Sequence, residues 1–278
     1  MLHLLKSYLK FLWSSKNAHG LHSPFVYHLV SRCFYDTTVY PKYNLLKQYR
    51  KGLQDSPEVL EVTDFGAGSR VFTSNRRTVQ QIVSNAGITA KNGELLFRLS
   101  RYFQPQSVLE IGTSLGLATT ALAAGSPKAT ITSLEGCPVT AQKAREELAK
   151  YDFTNVSVHT TEFSLYFNKL PKTISYDFVY FDGNHQKQAT LAYFEQLLPT
   201  VTNDTVWIFD DIHWSADMEK AWKILKKHPK VRVTIDTFQW GIVFFRREQE
   251  KQHFMIRAFS SKLLDAFLGI RKLWGLLD

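Results

Sequence analysis

Between residues 107 and 246, short apolar runs alternate with glycine or polar turns and with stretches whose apolar positions recur at helical spacing. A short apolar run bounded by turn residues marks a strand buried on both faces, and its regular alternation with helical patterns marks a parallel sheet. The pattern predicts strands at Ser107–Ile111, Thr130–Leu134, Val156–Thr160, Phe178–Phe181, Val206–Phe209, Val231–Ile235 and Ile242–Phe245. Helices are expected over Leu117–Ala124, over Pro138–Lys150 with its first-turn proline, over Gln186–Leu198 and over Ala216–Lys227. Only the last two strands lack a helix between them. Their short link through Gln239, Trp240 and Gly241 suits a hairpin, which makes the last strand antiparallel. The expected fold class is therefore α/β, a doubly wound seven-stranded sheet with an antiparallel last strand.

The flanks follow another pattern. Leu2, Leu5, Leu9 and Leu12 recur at helical spacing with Lys6 and Lys10 between them, and Ser23-Pro24 opens a second helix through Phe34. Residues 1–89 are read as a mostly helical lead-in, residues 90–246 as the sheet domain, and residues 247–278 as a C-terminal amphipathic helix. In that last segment Phe259, Leu263, Phe267, Ile270 and Trp274 form one stripe, with Lys262, Arg271 and Lys272 off it. Basic amphipathic ends of this kind pack on the core or on a second subunit, as in a homodimer, or lie on a membrane surface. A second glycine turn, Asp64 to Ser69, leads into Arg70, Arg76 and Arg77, a polar segment read as a loop rather than as the apolar helix a nucleotide turn requires.

Composition narrows the class. The 278 residues include 44% hydrophobic ones, enough for a sizeable core. No uncharged apolar run approaches the roughly 20 residues of a membrane span, and charge interrupts the first residues too early for a secretory signal, so a cytoplasmic location is expected. Cys33 and Cys137 have no metal-ligand spacing and are too few for a disulfide framework. The net charge of +9 is uneven: residues 1–56 carry 8 basic and 2 acidic side chains, residues 246–278 carry 7 and 4, and the rest carries 19 and 19. A formally neutral sheet domain argues against a phosphate-tracking face, so a nucleic acid is not the expected partner.

Val108-Leu109-Glu110-Ile111-Gly112-Thr113-Ser114-Leu115-Gly116 runs from an apolar strand into an acidic residue and two glycines ahead of a helix. A dinucleotide turn would read G-x-G-x-x-G; this one reads E-x-G-x-x-x-G. It resembles the first motif of the class I S-adenosylmethionine-dependent methyltransferases, whose fold is Rossmann-like. The resemblance implies that S-adenosylmethionine is held by Glu110, Gly112, Thr113, Ser114 and Gly116. The same resemblance implies that Glu135 after the next strand, with Gly136, binds the ribose hydroxyls, that Glu162, with Phe163, lies beside the adenine, and that Asp182 also contacts the cofactor. Read from the residues alone, the glycines also suit a tight turn, Glu135 a solvated loop, and Glu162 a helix start favoured by the dipole.

The fourth expected strand ends Phe181-Asp182-Gly183-Asn184-His185, and the fifth ends Phe209-Asp210-Asp211-Ile212-His213-Trp214. Carboxyl ends of strands line the binding crevice of an open α/β sheet, so these carboxylates converge there. Clustered carboxylates repel one another unless a cation neutralises them, and hard oxygen ligands suit Mg2+, Mn2+ or Ca2+. Over roughly residues 90–246 the chain resembles the cation-dependent O-methyltransferases of the catechol and caffeoyl-CoA type, which implies Asp182, Asp210 and Asp211 as metal ligands. Asp211 stands where that group carries Asn, and His185 where it commonly carries the general-base lysine. The resemblance thus implies Asp182 and His185 as catalytic residues, histidine being suited to proton transfer near neutrality. His185 is equally placed to cap the following helix. The implied activity is O-methylation of a small or lipid-like hydroxylated acceptor. An RNA acceptor recruited by the basic flanks, and a non-catalytic cofactor-binding module at a membrane, are the alternatives.

Overall fold

The computed structural model describes residues 2–63 and 74–261. Helices α1 (Leu2–Ser14), α2 (Pro24–Leu29) and α3 (Lys42–Gln54) precede a small antiparallel pair, β1 (Val59–Glu61) and β2 (Arg76–Thr78), after which come α4 (Val79–Ala86) and α5 (Ala90–Phe103). Ser23 caps α2, its Oγ accepting from the Val26 amide, but the α-helix stops at Leu29 and Val30–Phe34 continue as a wider π turn. The buried Arg98 of α5 ties that turn down, donating to the Cys33 and Phe34 carbonyls and to the Tyr43 hydroxyl. Arg76 and Arg77, expected in a loop, are strand residues opposite Glu61 and Leu60. The glycine turn at Asp64–Ser69 and Arg70 lie outside the described residues.

The sheet domain follows as β3 (Ser107–Ile111), α6 (Leu117–Gly125), β4 (Thr130–Glu135), α7 (Pro138–Lys150), β5 (Val156–Thr160), α8 (Phe163–Asn168), β6 (Phe178–Phe181), α9 (Lys187–Leu197), β7 (Val206–Phe209), α10 (Ala216–Lys227), β8 (Val233–Asp236), β9 (Gly241–Phe244) and β10 (Gln252–Met255). The spatial order is β10-β8-β9-β7-β6-β3-β4-β5. Each of the seven expected strands is present, and β9 is antiparallel to both of its neighbours, β7 and β8. The eighth, β10, pairs in parallel with β8 inside the segment read as a C-terminal helix. Leu263, Phe267, Ile270 and Trp274 of the expected amphipathic stripe lie outside the described residues.

Side-chain alternation explains why the strands stay in register. Val108, Ile131, Phe178, Tyr180 and Ile208 face a core shared with α5 and α6, whereas Leu109, Leu134, Val179, Phe181, Trp207 and Phe209 face one shared with α8, α9 and α10. A slip by one residue would exchange the two sets. β3 lies between β4 and β6, so the strand order reverses there and leaves a crevice at the carboxyl ends. At the far edge of the sheet, Arg145 of α7 donates from Nε to the outward carbonyl of Val158 in β5, 3.1 Å away. On the opposite side, α1 lies against the loop joining β8 to β9, and the Lys16 amide donates to the Met255 carbonyl of β10. Among the described residues no helix is long and apolar enough to cross a membrane.

Candidate functional site

The turn after β3 is shaped by three left-handed residues, Gly112 (φ +98°), Ser114 (φ +48°) and Gly116 (φ +77°). A Cβ on Gly112 would stand 2.5 Å from the Asp182 carbonyl oxygen, so the turns after β3 and β6 touch backbone to backbone. Gly116 caps α6 and lies under Tyr49 of α3, whose hydroxyl donates to the Leu115 carbonyl. The helical lead-in thus presses directly on the turn.

Glu110, at the end of β3, is fully buried beneath α6. One carboxylate oxygen accepts from the hydroxyls of Thr119 and Ser133, and Ser133 also meets the Thr113 hydroxyl. The other oxygen is buried without a partner. Desolvation pushes this carboxyl up to about 7, the two hydroxyl bonds offsetting only part of it. Glu135 reaches back to the same turn: its oxygens accept from the Ser114 amide at 2.8 Å and the Cys137 amide at 2.9 Å, with Gly136 between. Glu162 spends both oxygens on the Ser164 and Leu165 amides as the cap of α8. Phe163, the first residue of that helix, packs over Gly183 and edge-on to Tyr193.

Across the crevice, Asp182 and Asp210 lie within hydrogen-bonding reach. Burial, then the charges of Asp210 and Asp211, push the Asp182 carboxyl well above the usual carboxylate range. His185 Nε2 is 3.6 Å from Asp182 Oδ1, and both side chains keep partial exposure. Asp210 is 7% exposed and accepts from the Tyr180 hydroxyl at one oxygen. Its other oxygen accepts from its neighbour's amide and from Gln239. Gln239 Nε2 lies 2.7 Å from Asp210 Oδ1 and 2.7 Å from Asp211 Oδ1.

This arrangement does not fit the divalent cation that the carboxylates led us to expect. A hard cation needs several oxygens converging on an open centre, whereas here an amide group already sits between two of the three carboxylates. Among the described residues no group of three or more His, Cys, Asp or Glu side chains is placed to hold a metal ion. The repulsion is met instead by amide hydrogens from Gln239 and the Tyr180 hydroxyl.

Both of those residues escaped the sequence reading. Tyr180 is two positions before Asp182 and so shares its face of the strand, a signal that period-2 alternation carries. Gln239 is a lone amide in a hairpin link, with no motif to announce it. Its backbone is fixed by Phe238, a left-handed residue (φ +74°) whose amide donates to Asp236. Asp236 also accepts from Trp222 and meets His213, whose other ring nitrogen meets Glu219 at 2.8 Å. Burial pulls the His213 imidazole down, but the hydrogen bonds and charges of Asp236 and Glu219 outweigh it and leave its pKa raised. His213 is therefore the support of the hairpin, stacked on Phe238 with ring centroids 5.0 Å apart, and Trp240 is a core residue against Tyr180.

Residues 109–212, which contain the glycine turn and the carboxylates, match the family described as a methyltransferase domain. The fold around them is similar to that of several solved methyltransferases. The S-adenosylhomocysteine-bound methyltransferase PaMTH1 of Podospora anserina superposes with a TM-score of 0.58 at 15% identity, over 81% of this chain and 97% of that one. The O-methyltransferase of Bacillus cereus in complex with S-adenosylhomocysteine gives 0.51 at 19% identity, over 75% and 92%. The Streptomyces achromogenes O-methyltransferase TomG, solved with S-adenosylmethionine, gives 0.51 at 20% identity, over 58% and 82%. No curated protein sequence matches the chain.

Proposed function

We propose that the protein is an S-adenosylmethionine-dependent O-methyltransferase of a small or lipid-like hydroxylated acceptor. The observation that carries this reading is the buried, unpartnered carboxylate oxygen of Glu110 at the foot of the left-handed turn 112–116. A buried acceptor without a partner costs about 1–3 kcal/mol, and a cationic ligand group would remove that cost. The methionine end of the cofactor carries such a group. When bound, the cofactor supplies an electrophilic methyl group on sulfur.

The residues divide the remaining work. Glu135 keeps the turn closed and offers its carboxylate to the two ribose hydroxyls, as each carboxylate oxygen has two lone pairs. Phe163 supplies an apolar edge beside the adenine position, and Glu162 holds the start of α8 that carries Phe163. On the acceptor side, His185 takes the hydroxyl proton as the oxygen attacks, oriented by Asp182. The Gln239-bridged pair Asp210 and Asp211 fixes the wall beside them. The arrangement works by alignment and proton removal. The balanced charge of residues 57–245 supports a small acceptor over a polyanion.

Calorimetric titration with S-adenosylhomocysteine tests the reading. The wild-type protein should bind one equivalent, and Glu135→Ala should weaken binding by about tenfold or more, the worth of a charge-assisted hydrogen bond. A wild-type protein that does not bind the compound would falsify the proposal.

A further inference from the structure

α1 is built the wrong way round for a helix that only packs on its own core. Among its 13 residues Phe11 alone is buried. Phe11 and Tyr8 sit against Phe238, Ser7 donates to Glu219, and His3 lies 3.6 Å from the same carboxylate. These contacts fix one side of the helix on the acceptor-side hairpin and leave its apolar row facing out: Leu2, Leu5 and Leu9 are 67%, 56% and 57% exposed, and Trp13, continuing the row, is 52% exposed. Leucines at this spacing on an outward face mark a surface that meets something apolar.

Charge identifies what it meets. Residues 1–35 contain Lys6, Lys10, Lys16 and Arg32 and no aspartate or glutamate. Lys6 and Lys10 are exposed along one flank of the leucine row. The chain leaving β10 passes beside the end of α1, where the Lys16 amide donates to the Met255 carbonyl. A protein partner would need an apolar groove with acidic rims. An anionic lipid surface offers both features at once, an acyl boundary for the leucines and phosphates for the lysines, which is the chemistry of an in-plane amphipathic helix.

We infer that α1 docks this protein on an anionic bilayer, with Leu2, Leu5, Leu9 and Trp13 in the interface and Lys6 and Lys10 at the phosphates. Because the other side of α1 rests on Phe238, next to Gln239, docking holds the acceptor side of the crevice close to the lipid surface. The acceptor class that follows, a hydroxyl-bearing amphiphile resident in that surface, rests on the methyltransferase reading; the docking itself does not.

Co-sedimentation with vesicles of phosphatidylcholine, with and without 30% phosphatidylglycerol by design (about a third anionic lipid, enough to set up a strong surface potential), separates the outcomes. The full chain should partition at least about tenfold more strongly onto the anionic vesicles, and added salt should weaken this. Leu5→Asp/Leu9→Asp should abolish partitioning while leaving the melting temperature and S-adenosylhomocysteine affinity unchanged, since neither side chain is buried. Equal binding to neutral and anionic vesicles overturns the inference. So does no binding at all, or a wild-type dimer that the double variant dissolves without any vesicle binding. Vesicle binding without S-adenosylhomocysteine binding would leave docking standing and remove the methyltransferase reading; the reverse would do the opposite.

Discussion

A carboxyl group with no exposed surface keeps its proton to high pH unless a cation arrives beside it. Glu110 is in that position, raised from 4.5 to about 7 by burial. Since its folded value lies above its unfolded one, its contribution to stability is fully present below pH 4.5 and is lost as the pH rises through 7. A ligand ammonium would favour the ionised form, so S-adenosylhomocysteine binding near pH 6 should release close to one proton. Calorimetry in two buffers of different ionisation enthalpy reads that number. Glu110→Gln should release none and bind about 10- to 100-fold more weakly; an unchanged proton count in this variant would assign the linkage to another group. Gln239 invites a complementary substitution. Gln239→Glu replaces the bridging amide by a fourth carboxylate, and the variant should then gain several degrees of melting temperature from Mn2+ while the wild type gains nothing, as binding to the folded state alone stabilises it. A wild-type protein stabilised by Mn2+ would show that the amide gives way to a cation.

The elements around the site are held by where backbones meet. Gly112→Ala faces two penalties, the left-handed φ of +98° and a Cβ 2.5 Å from the Asp182 carbonyl, which is backbone and cannot swing aside. A loss of about 2–4 kcal/mol in urea denaturation is expected, with cofactor binding impaired. Gly93→Ala in α5 is the control: its Cβ would meet nothing within 4 Å, and relief of the helical glycine should add about 0.5–1 kcal/mol. Elements of this kind were legible in advance wherever one chemical pattern set them. The doubly buried strands announce themselves as apolar runs, and Gly112, Gly116, Glu110 and Glu135 by their places at strand ends. β10 does not, because Gln252–Met255 is an edge strand, half in water, with no alternation strong enough to read. The π turn after α2 depends on Arg98, 65 residues away from Cys33. The Gln239 bridge depends on two carboxylates 28 and 29 residues distant. Long-range partners of single polar residues leave no local trace.

At the scale of the whole molecule, two structures have been joined. One is the sheet, with a crevice where the strand order reverses. The other is the helical lead-in, which reaches that crevice from two directions: α3 through Tyr49 onto the glycine turn, and α1 through Phe238 onto the hairpin of Gln239. Charge follows the same division, since the basic excess belongs to the flanks and the sheet domain is balanced. A site whose two walls are each braced by the lead-in should respond to what the lead-in touches.

The sheet also has an outer limit at β5, where Arg145 donates to the outward Val158 carbonyl and to the Thr160 hydroxyl. An unpaired strand edge is a template on which another chain can add its own strand. A guanidinium seated on that edge removes an acceptor the intruding strand would need and sets a charge in its path. Arg145 thereby makes the β5 margin a poorer template for strand addition, while the opposite margin of the sheet is extended by β10.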